Sequence, residues 1–252
     1  MRFSICFILL FFLTESFYAQ VDNRAEQLSI DFFYAVMNNA TSEAEGLSNE
    51  LAQLDPIALN RELNSDEKNL AFWINIYNSN IQHVLKKNPK LFEDRGSFFK
   101  AKLFIIAGEV LSFDIVEHGI LRRSKSKLSL GYFGKFWVSK FERQMRIRTL
   151  DPRIHYALNC GALSCPSIVP YHTENIDNEL DKSVSTYLKK YCVIENDKVK
   201  VPVLFSWFRA DFGGKKGILK FLVQYGILTK VNLDKELEFL PYDWTLALKP
   251  YN

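Results

Sequence analysis

Residues 64–89 read NSDEKNLAFWINIYNSNIQHVLKKNP, and this stretch decides the fold. Asn64-Ser65-Asp66-Glu67 is a capping box, with Asn64 as the cap and Glu67 three residues on. Apolar and aromatic residues then recur at helical spacing: Phe72 and Ile76 with Ser79 on one face, Trp73 and Tyr77 with Asn80 on the next. Lys86 and Lys87 suit a last turn, and Asn88-Pro89 stops the helix. The pattern predicts a strong helix running to about Lys87.

Upstream, residues 24–38 place Leu28, Phe32, Phe33 and Val36 on one helical face. Residues 47–63 read as helix interrupted at Asp55-Pro56. Downstream, 102–106 and 110–113 flank Ala107-Gly108-Glu109 as a β-hairpin, and 114–123 returns to helix. Residues 124–150 are mixed and basic. Asp151-Pro152 caps a short helix that should end at Gly161. Residues 166–170 are extended, and Thr173 caps an amphipathic helix to about Lys190. A second hairpin is expected around Asn196-Asp197, then a short helix over 217–225 and a tail with Trp244. With no repeat and no linker, residues 20–252 read as one α+β domain. It should be predominantly helical, with a small antiparallel sheet of hairpins.

The composition agrees. Apolar residues make up 48% of the chain and charged residues 24%, which suits a packed core and argues against disorder. Thirty-two basic residues against 29 acidic leave +3, with no dense basic stripe, so nucleic-acid binding is not expected. Aromatics reach 14%, with 21 Phe, enough to fill a core and line a cleft. Met1-Arg2, the apolar run to Leu13 and the polar tail ending in Tyr18-Ala19-Gln20 read as a secretory signal over residues 1–19. The mature protein is therefore expected to be exported, periplasmic or secreted, with no membrane span after cleavage. Cys6 leaves with the signal. Cys160, Cys165 and Cys192 remain, an odd number in an oxidising compartment.

Four clusters carry chemistry. Within the long helix, Asn75 and Asn78 sit three apart among aromatics; as poor helix-interior residues they have a polar duty, either tying down loops or serving a site. In the second cluster Asp114 and His118 are four apart, with Glu117 beside them; a carboxylate there orients the imidazole and raises its pKa. The third, residues 151–166, brings together Arg153, His155, Asn159, Cys160 and Cys165, with Gly161 letting the backbone turn sharply. The fourth, residues 204–212, is aromatic, with Trp207 and an Arg209–Asp211 pair.

Together these segments resemble the family catalogued as domain of unknown function 547, over a core of about 64–212. The residues carrying the likeness are Phe72-Trp73-Ile74-Asn75-Ile76-Tyr77-Asn78, Asp114 with Glu117-His118-Gly119-Ile120-Leu121-Arg122, and Asp151-Pro152-Arg153-Ile154-His155 through Ser164-Cys165-Pro166. The chain looks like an exported, bacterial-type, single-domain member. The resemblance implies little chemistry, since the family is defined by its unknown function. Some plant and bacterial relatives carry leucine-zipper or glutaredoxin segments, which this chain does not show.

Three readings follow from the residues. In the first, the protein is a thiol-dependent hydrolase or transferase acting on an amide or thioester-like bond. Cys160 is the nucleophile, His118 the base, Asp114 or Asn75 its orienter and His155 an alternative base. Arg153, Trp73, Tyr77 and Trp207 would then bind substrate. Against this, a helix ending near Cys160 disfavours a thiolate there. In the second, Cys160 and Cys165 form a structural disulfide in a non-catalytic module that binds a peptide, glycan, protein or small-molecule ligand through its aromatic cleft. A third reading, a metal site on His118, His155, Cys160 and Cys165, has residue types that suit zinc, but the spacings match no short zinc pattern, and no phosphate loop or cofactor motif occurs, so no metal or cofactor is assigned. Asn75, His118, Arg153, His155 and Cys160 are expected on one concavity, with Trp73, Trp137 and Trp207 walling it.

Overall fold

The apolar periodicity of the N-terminal third resolves into four helices: α1 (Arg24–Met37), α2 (Thr41–Ala52), α3 (Pro56–Glu62) and α4 (Asp66–Lys87). The computed structural model describes residues 23–127, 130–195 and 198–248; the expected signal segment and the Asn196-Asp197 turn lie outside them. Helix α4 starts one residue later than its capping pattern suggests. Ser65 is the cap, its hydroxyl accepting from the Lys68 amide at 3.3 Å. Asp55 caps α3 through the Ala58 amide at 2.7 Å, with Pro56 at the first helical position. Large side chains on adjacent faces make α4 the axis of the core. Phe72, Trp73, Ile74, Ile76 and Ile81 are fully buried, with α1 packed along them and α2 behind α1.

Beyond α4 a 3-10 turn and α5 (Arg95–Lys100) lead to the hairpin of β1 (Phe104–Ile106) and β2 (Glu109–Leu111). Its two-residue turn, Ala107-Gly108, has positive φ at both positions, as a tight twisted hairpin requires. The amides of Ala107 and Gly108 dock it onto the end of α2, through the carbonyls of Leu51 at 2.9 Å and Ala52 at 2.8 Å.

The expected helix after the hairpin is present but wound wide, as a π-helix over Ile115–Leu121. The amides of Arg122 and Ser124 bond five residues back, to Glu117 and Gly119, each at 2.7 Å. Next come α6 (Lys140–Met145) and a 3-10 turn over Pro152–Tyr156. That turn is shorter than the helix expected to reach Gly161, so Cys160 lies in irregular loop and the helix-end objection to a thiolate falls away.

The C-terminal part contains α7 (Ile176–Tyr191), β3 (Val193–Glu195), β4 (Lys198–Pro202), α8 (Leu204–Trp207), α9 (Gly214–Gln224) and β5 (Glu236–Leu240). Strands β3 and β4 pair antiparallel as expected. Strand β5 adds a parallel third, with Val201 opposite Phe239, which the sequence reading took as tail. The domain is α+β and predominantly helical, with two small sheets. Tyr156, Val184, Leu188, Phe205, Phe212 and Ile218 belong to a second apolar cluster beside the one around α4. Among the described residues no helix is long and apolar enough to cross a membrane.

Candidate functional site

The two asparagines of α4 hold loops. Asn75 pairs with one backbone residue like a strand neighbour, donating to the Tyr171 carbonyl at 2.8 Å and accepting from its amide at 2.9 Å. Asn78 donates to the Ala157 carbonyl at 2.9 Å and accepts from the Asn159 amide at 2.8 Å. Asn159 then closes the next turn, accepting from the Gly161 amide at 2.9 Å and donating to the Pro166 carbonyl at 2.7 Å. Gly161, at φ +91, makes the reversal, and an added Cβ there would stand 2.9 Å from Leu85. The C-terminal segment clamps the loop from outside: the Leu163 amide bonds Thr245 and the Ala247 amide bonds Gly161, both at 2.8 Å.

This scaffold sets Cys160 on the wall of a cavity of about 310 Å³. Tyr77, Phe99, Trp207, Phe208, Tyr242 and Trp244 supply aromatic walls, and Asp114, Glu117, His118, Arg122, Lys127 and His155 supply the polar ones. A concave, largely apolar space with a few convergent polar groups is the usual form of a ligand site.

The polar side is organised by Arg122. Its Nη1 donates to His118 Nδ1 at 2.8 Å, and its Nε donates to Asp211 Oδ2 at 2.6 Å. His155 Nε2 donates to the same Asp211 oxygen at 2.9 Å. Phe208 supports both cationic and imidazole groups: Arg122 lies 4.6 Å from its ring centre, and His155 stacks on it at 3.8 Å. Gly131, at φ +86, covers the arrangement; a Cβ there would lie 2.5 Å from Asp211 Oδ1 and 2.7 Å from Arg122 Nη2.

Because a guanidinium only donates, His118 must accept at Nδ1 and carry its proton on Nε2. That nitrogen lies 4.0 Å from Asp114 Oδ1, too far for a hydrogen bond. Burial first, then the Arg122 and Lys127 charges, hold His118 well below the ordinary histidine pKa. Burial also depresses His155, to about 4, against the opposing pull of Asp211. The expectation that Asp114 keeps His118 near neutrality as a base is therefore corrected. Arg122, four residues on the other side, has taken the accepting nitrogen. Burial likewise pushes the Glu117 carboxyl up, although Tyr77 donates to it at 3.2 Å.

The thiols answer to one another instead. Cys160 Sγ and Cys165 Sγ are 2.6 Å apart, beyond the roughly 2.05 Å of a disulfide, so the disulfide considered from sequence is not formed in this structure. Cys165 Sγ accepts from the Cys160 amide at 3.0 Å and from the Tyr242 hydroxyl at 3.1 Å. Burial raises the Cys165 thiol, but hydrogen bonds from Cys160, Tyr242 and nearby amides outweigh it, and the net shift is downward. Burial and the neighbouring Cys165 push Cys160 well up. Within the pair, the negative charge belongs on Cys165 and the proton on Cys160. Cys192 stands apart, its thiol pushed up to about 12 by burial.

Of the residues selected from sequence, the cavity gathers Cys160, His118, Asp114, His155, Tyr77 and Trp207. The others lie elsewhere. Asn75 is consumed by Tyr171, and Trp73 is core, packed edge-on against Phe72 and Phe141. Arg153 is engaged by Asp151, Asp177 and Asp181 beside a different hollow. Trp137 does not wall the cleft either; it is exposed. Cys165 sits behind the wall and faces a second cavity of about 470 Å³. Sequence reasoning missed Arg122, Asp211, Tyr242 and Trp244. The first had a visible signal, since Asp114, His118 and Arg122 recur every fourth residue. Tyr242 and Trp244 had none, because only tertiary contact brings the tail to the thiol loop.

A family model described as "Protein of unknown function, DUF547" matches residues 60–188. No curated protein and no solved structure matches the chain.

Proposed function

The chain belongs to the DUF547 family, and from that premise we propose that the cavity is the site of a thiol-dependent hydrolase or transferase whose reactive unit is the Cys160–Cys165 pair. The observation that carries this reading is the contact between a cavity-lining thiol and a buried sulfur whose anion is stabilised by Tyr242 and the Cys160 amide. Cys165 then does the work expected of a histidine. As Cys160 sulfur bonds to the acyl carbon of an amide or thioester, its proton passes to Cys165, and the carbonyl π pair moves to oxygen. When the intermediate collapses, the carbon–nitrogen or carbon–sulfur bond breaks and the leaving group takes that proton from Cys165. Water, or a second acceptor, releases the acyl group from Cys160. Arg122 contributes a fixed positive charge to the cavity wall, and the neutral histidines contribute hydrogen-bonding groups.

Alkylation with iodoacetamide across pH tests the reading. Cys160 should react measurably at neutral pH, and Cys165→Ser, which removes the sulfur that takes the Cys160 proton during attack, should slow it by about tenfold or more. His118→Ala should leave the rate nearly unchanged. A rate that follows His118 and ignores Cys165 rejects the thiol-pair mechanism.

A second reading keeps the cavity as a non-catalytic site for a peptide, glycan or small molecule. It is favoured by the histidines, whose assigned partners are Arg122 and Asp211 rather than the thiols. Protein prepared without reductant that never alkylates at Cys160 would support it. The basic start, apolar run and Tyr18-Ala19-Gln20 of the N-terminus support export, for which mature chains should begin near Gln20 by mass spectrometry.

A further inference from the structure

From just after the π-helix to just beyond α6, residues 123–148 hold eight lysines and arginines against one carboxylate, Glu142. Part of this segment is a pinned tongue. Lys125 bridges Gly134, the Ser126 amide bonds the Phe133 carbonyl at 2.9 Å, and the Lys135 amide bonds Ser124 at 2.7 Å. The Ala210 amide ties Leu130 down from the other side at 3.0 Å, and Lys135 Nζ bonds both oxygens of Glu142 at 3.2 Å. From this held backbone four aromatic residues project outward. Phe136 is 98% exposed and Trp137 92%, with Tyr132 and Phe133 also exposed. Arg123, Lys140 and Arg143 are exposed around them and take part in no ion pair among the described residues.

Exposing a Phe and a Trp almost completely forfeits the stabilisation each would gain from burial, so a cluster of them on a fixed backbone marks an interaction surface. The charge says which kind. A protein partner's face is usually depleted in lysine. Aromatics ringed by Lys and Arg match a headgroup layer, where Trp and Tyr lodge at the polar–apolar boundary and cations meet lipid phosphates. We propose that this tongue docks the protein on an anionic lipid surface, with Phe136 and Trp137 entering the headgroup region. The docking needs no spanning helix and does not depend on the thiol reading. The tongue also contributes Lys127 and Leu130 to the cavity lining, so the cavity would open next to the lipid.

Co-sedimentation of the purified protein with phosphatidylcholine vesicles, with and without phosphatidylglycerol, tests this. Binding should require phosphatidylglycerol and weaken with salt. Phe136→Ser with Trp137→Ser should abolish it while leaving the thermal melt unchanged, since both side chains are exposed. Lys140→Gln and Arg143→Gln should each reduce binding by about fivefold. In the otherwise intact protein, Trp137 emission should shift to the blue on binding, and Trp137→Phe should remove the shift. No binding to phosphatidylglycerol vesicles overturns the proposal, as does binding that the double variant retains. Self-association that the double variant abolishes, without vesicle binding, would assign the surface to a second copy of this chain instead.

Discussion

Arg122 and Arg153 both hold aspartates, yet they do opposite jobs. Arg122 is sealed in, with 1% of its side chain exposed and its partner Asp211 at 0%. One carboxylate balances one guanidinium there, and the remaining contacts are a histidine nitrogen and an aromatic face. Arg153 binds three carboxylates, but Asp177 is 75% exposed and Asp181 49%. More partners do not make a stronger site. A buried pair has no water to replace a lost partner, whereas an exposed cluster does. From the sequence Arg153 looked the better candidate, because it lies in the segment with His155 and Cys160. In the structure Arg122 lines the cavity and Arg153 staples the start of α7 to the 3-10 turn before it.

The largest expected effect tests the buried half. Arg122→Ala strands the Asp211 charge and removes the donor to His118, so it should cost about 3–5 kcal/mol by urea denaturation. Replacing the pair together, with Arg122→Met and Asp211→Leu, should recover only part of that loss: no charge is left unpaired, but His118 Nδ1 and His155 Nε2 lose their partners. A single-variant loss near that of an exposed pair would break the contrast. Asn75→Ala sharpens it next. It strands both the amide and the carbonyl of Tyr171, for a cost of about 2–3 kcal/mol. Because Asn75 does not line the cavity, the alkylation profile of Cys160 should not move.

Acid titration reads the same buried network with no mutation. His155 has an ordinary pKa of 6.5 when unfolded and about 4 when folded. Between those values the unfolded chain binds a proton that the folded chain refuses. Stability should therefore be level above about pH 6.5 and fall as pH drops toward 4, by up to about 1.4 kcal/mol per pH unit from this residue. His118, held low by burial and by Arg122, adds to the slope in the same direction. Chemical denaturation at pH 7, 6 and 5 measures it, and His155→Gln should flatten it. A curve flat down to pH 5 would mean that these histidines are solvated and the network is open.

The same contrast explains what could be read in advance. Helix α4 was legible because capping, spacing and a Pro stop are local properties of consecutive residues. The β1–β2 hairpin was legible for the same reason, its turn sitting between two short apolar runs. The π-helix was read as ordinary helix because the residue pattern around His118 satisfies both windings; only the bonds five residues back distinguish them. Strand β5 went unseen although Glu236–Leu240 alternates charged and apolar residues, because the run is only five residues long and finds its partner more than thirty residues away in β4. At the site, the i and i+4 pairing of Asp114 with His118 was visible, but which neighbour claims the imidazole was not. That is decided by burial, which favours the fixed charge of Arg122 over a carboxylate also drawn to Lys127.

The smallest expected effect belongs to Arg153→Ala. Four side chains meet there, and a count of ion pairs suggests a major loss: Arg153 contacts Asp151 at 2.6 Å, Asp177 at 2.5 Å and Asp181 at 3.0 Å. Solvent argues otherwise. Asp177 and Asp181 rehydrate once the guanidinium is gone, and Asp151 keeps its bond to the residue-153 amide, which the substitution preserves. Tyr225 also donates to Asp181, at 2.5 Å, so that carboxylate is not stranded. The expected cost is about 1 kcal/mol, shrinking further in high salt because exposed charges are screened. Cys160 alkylation should be unchanged. A loss approaching that of Arg122→Ala, insensitive to salt, would mean that the three aspartates repel one another strongly without their cation. The cluster, rather than the cavity wall, would then be the molecule's principal electrostatic fastening.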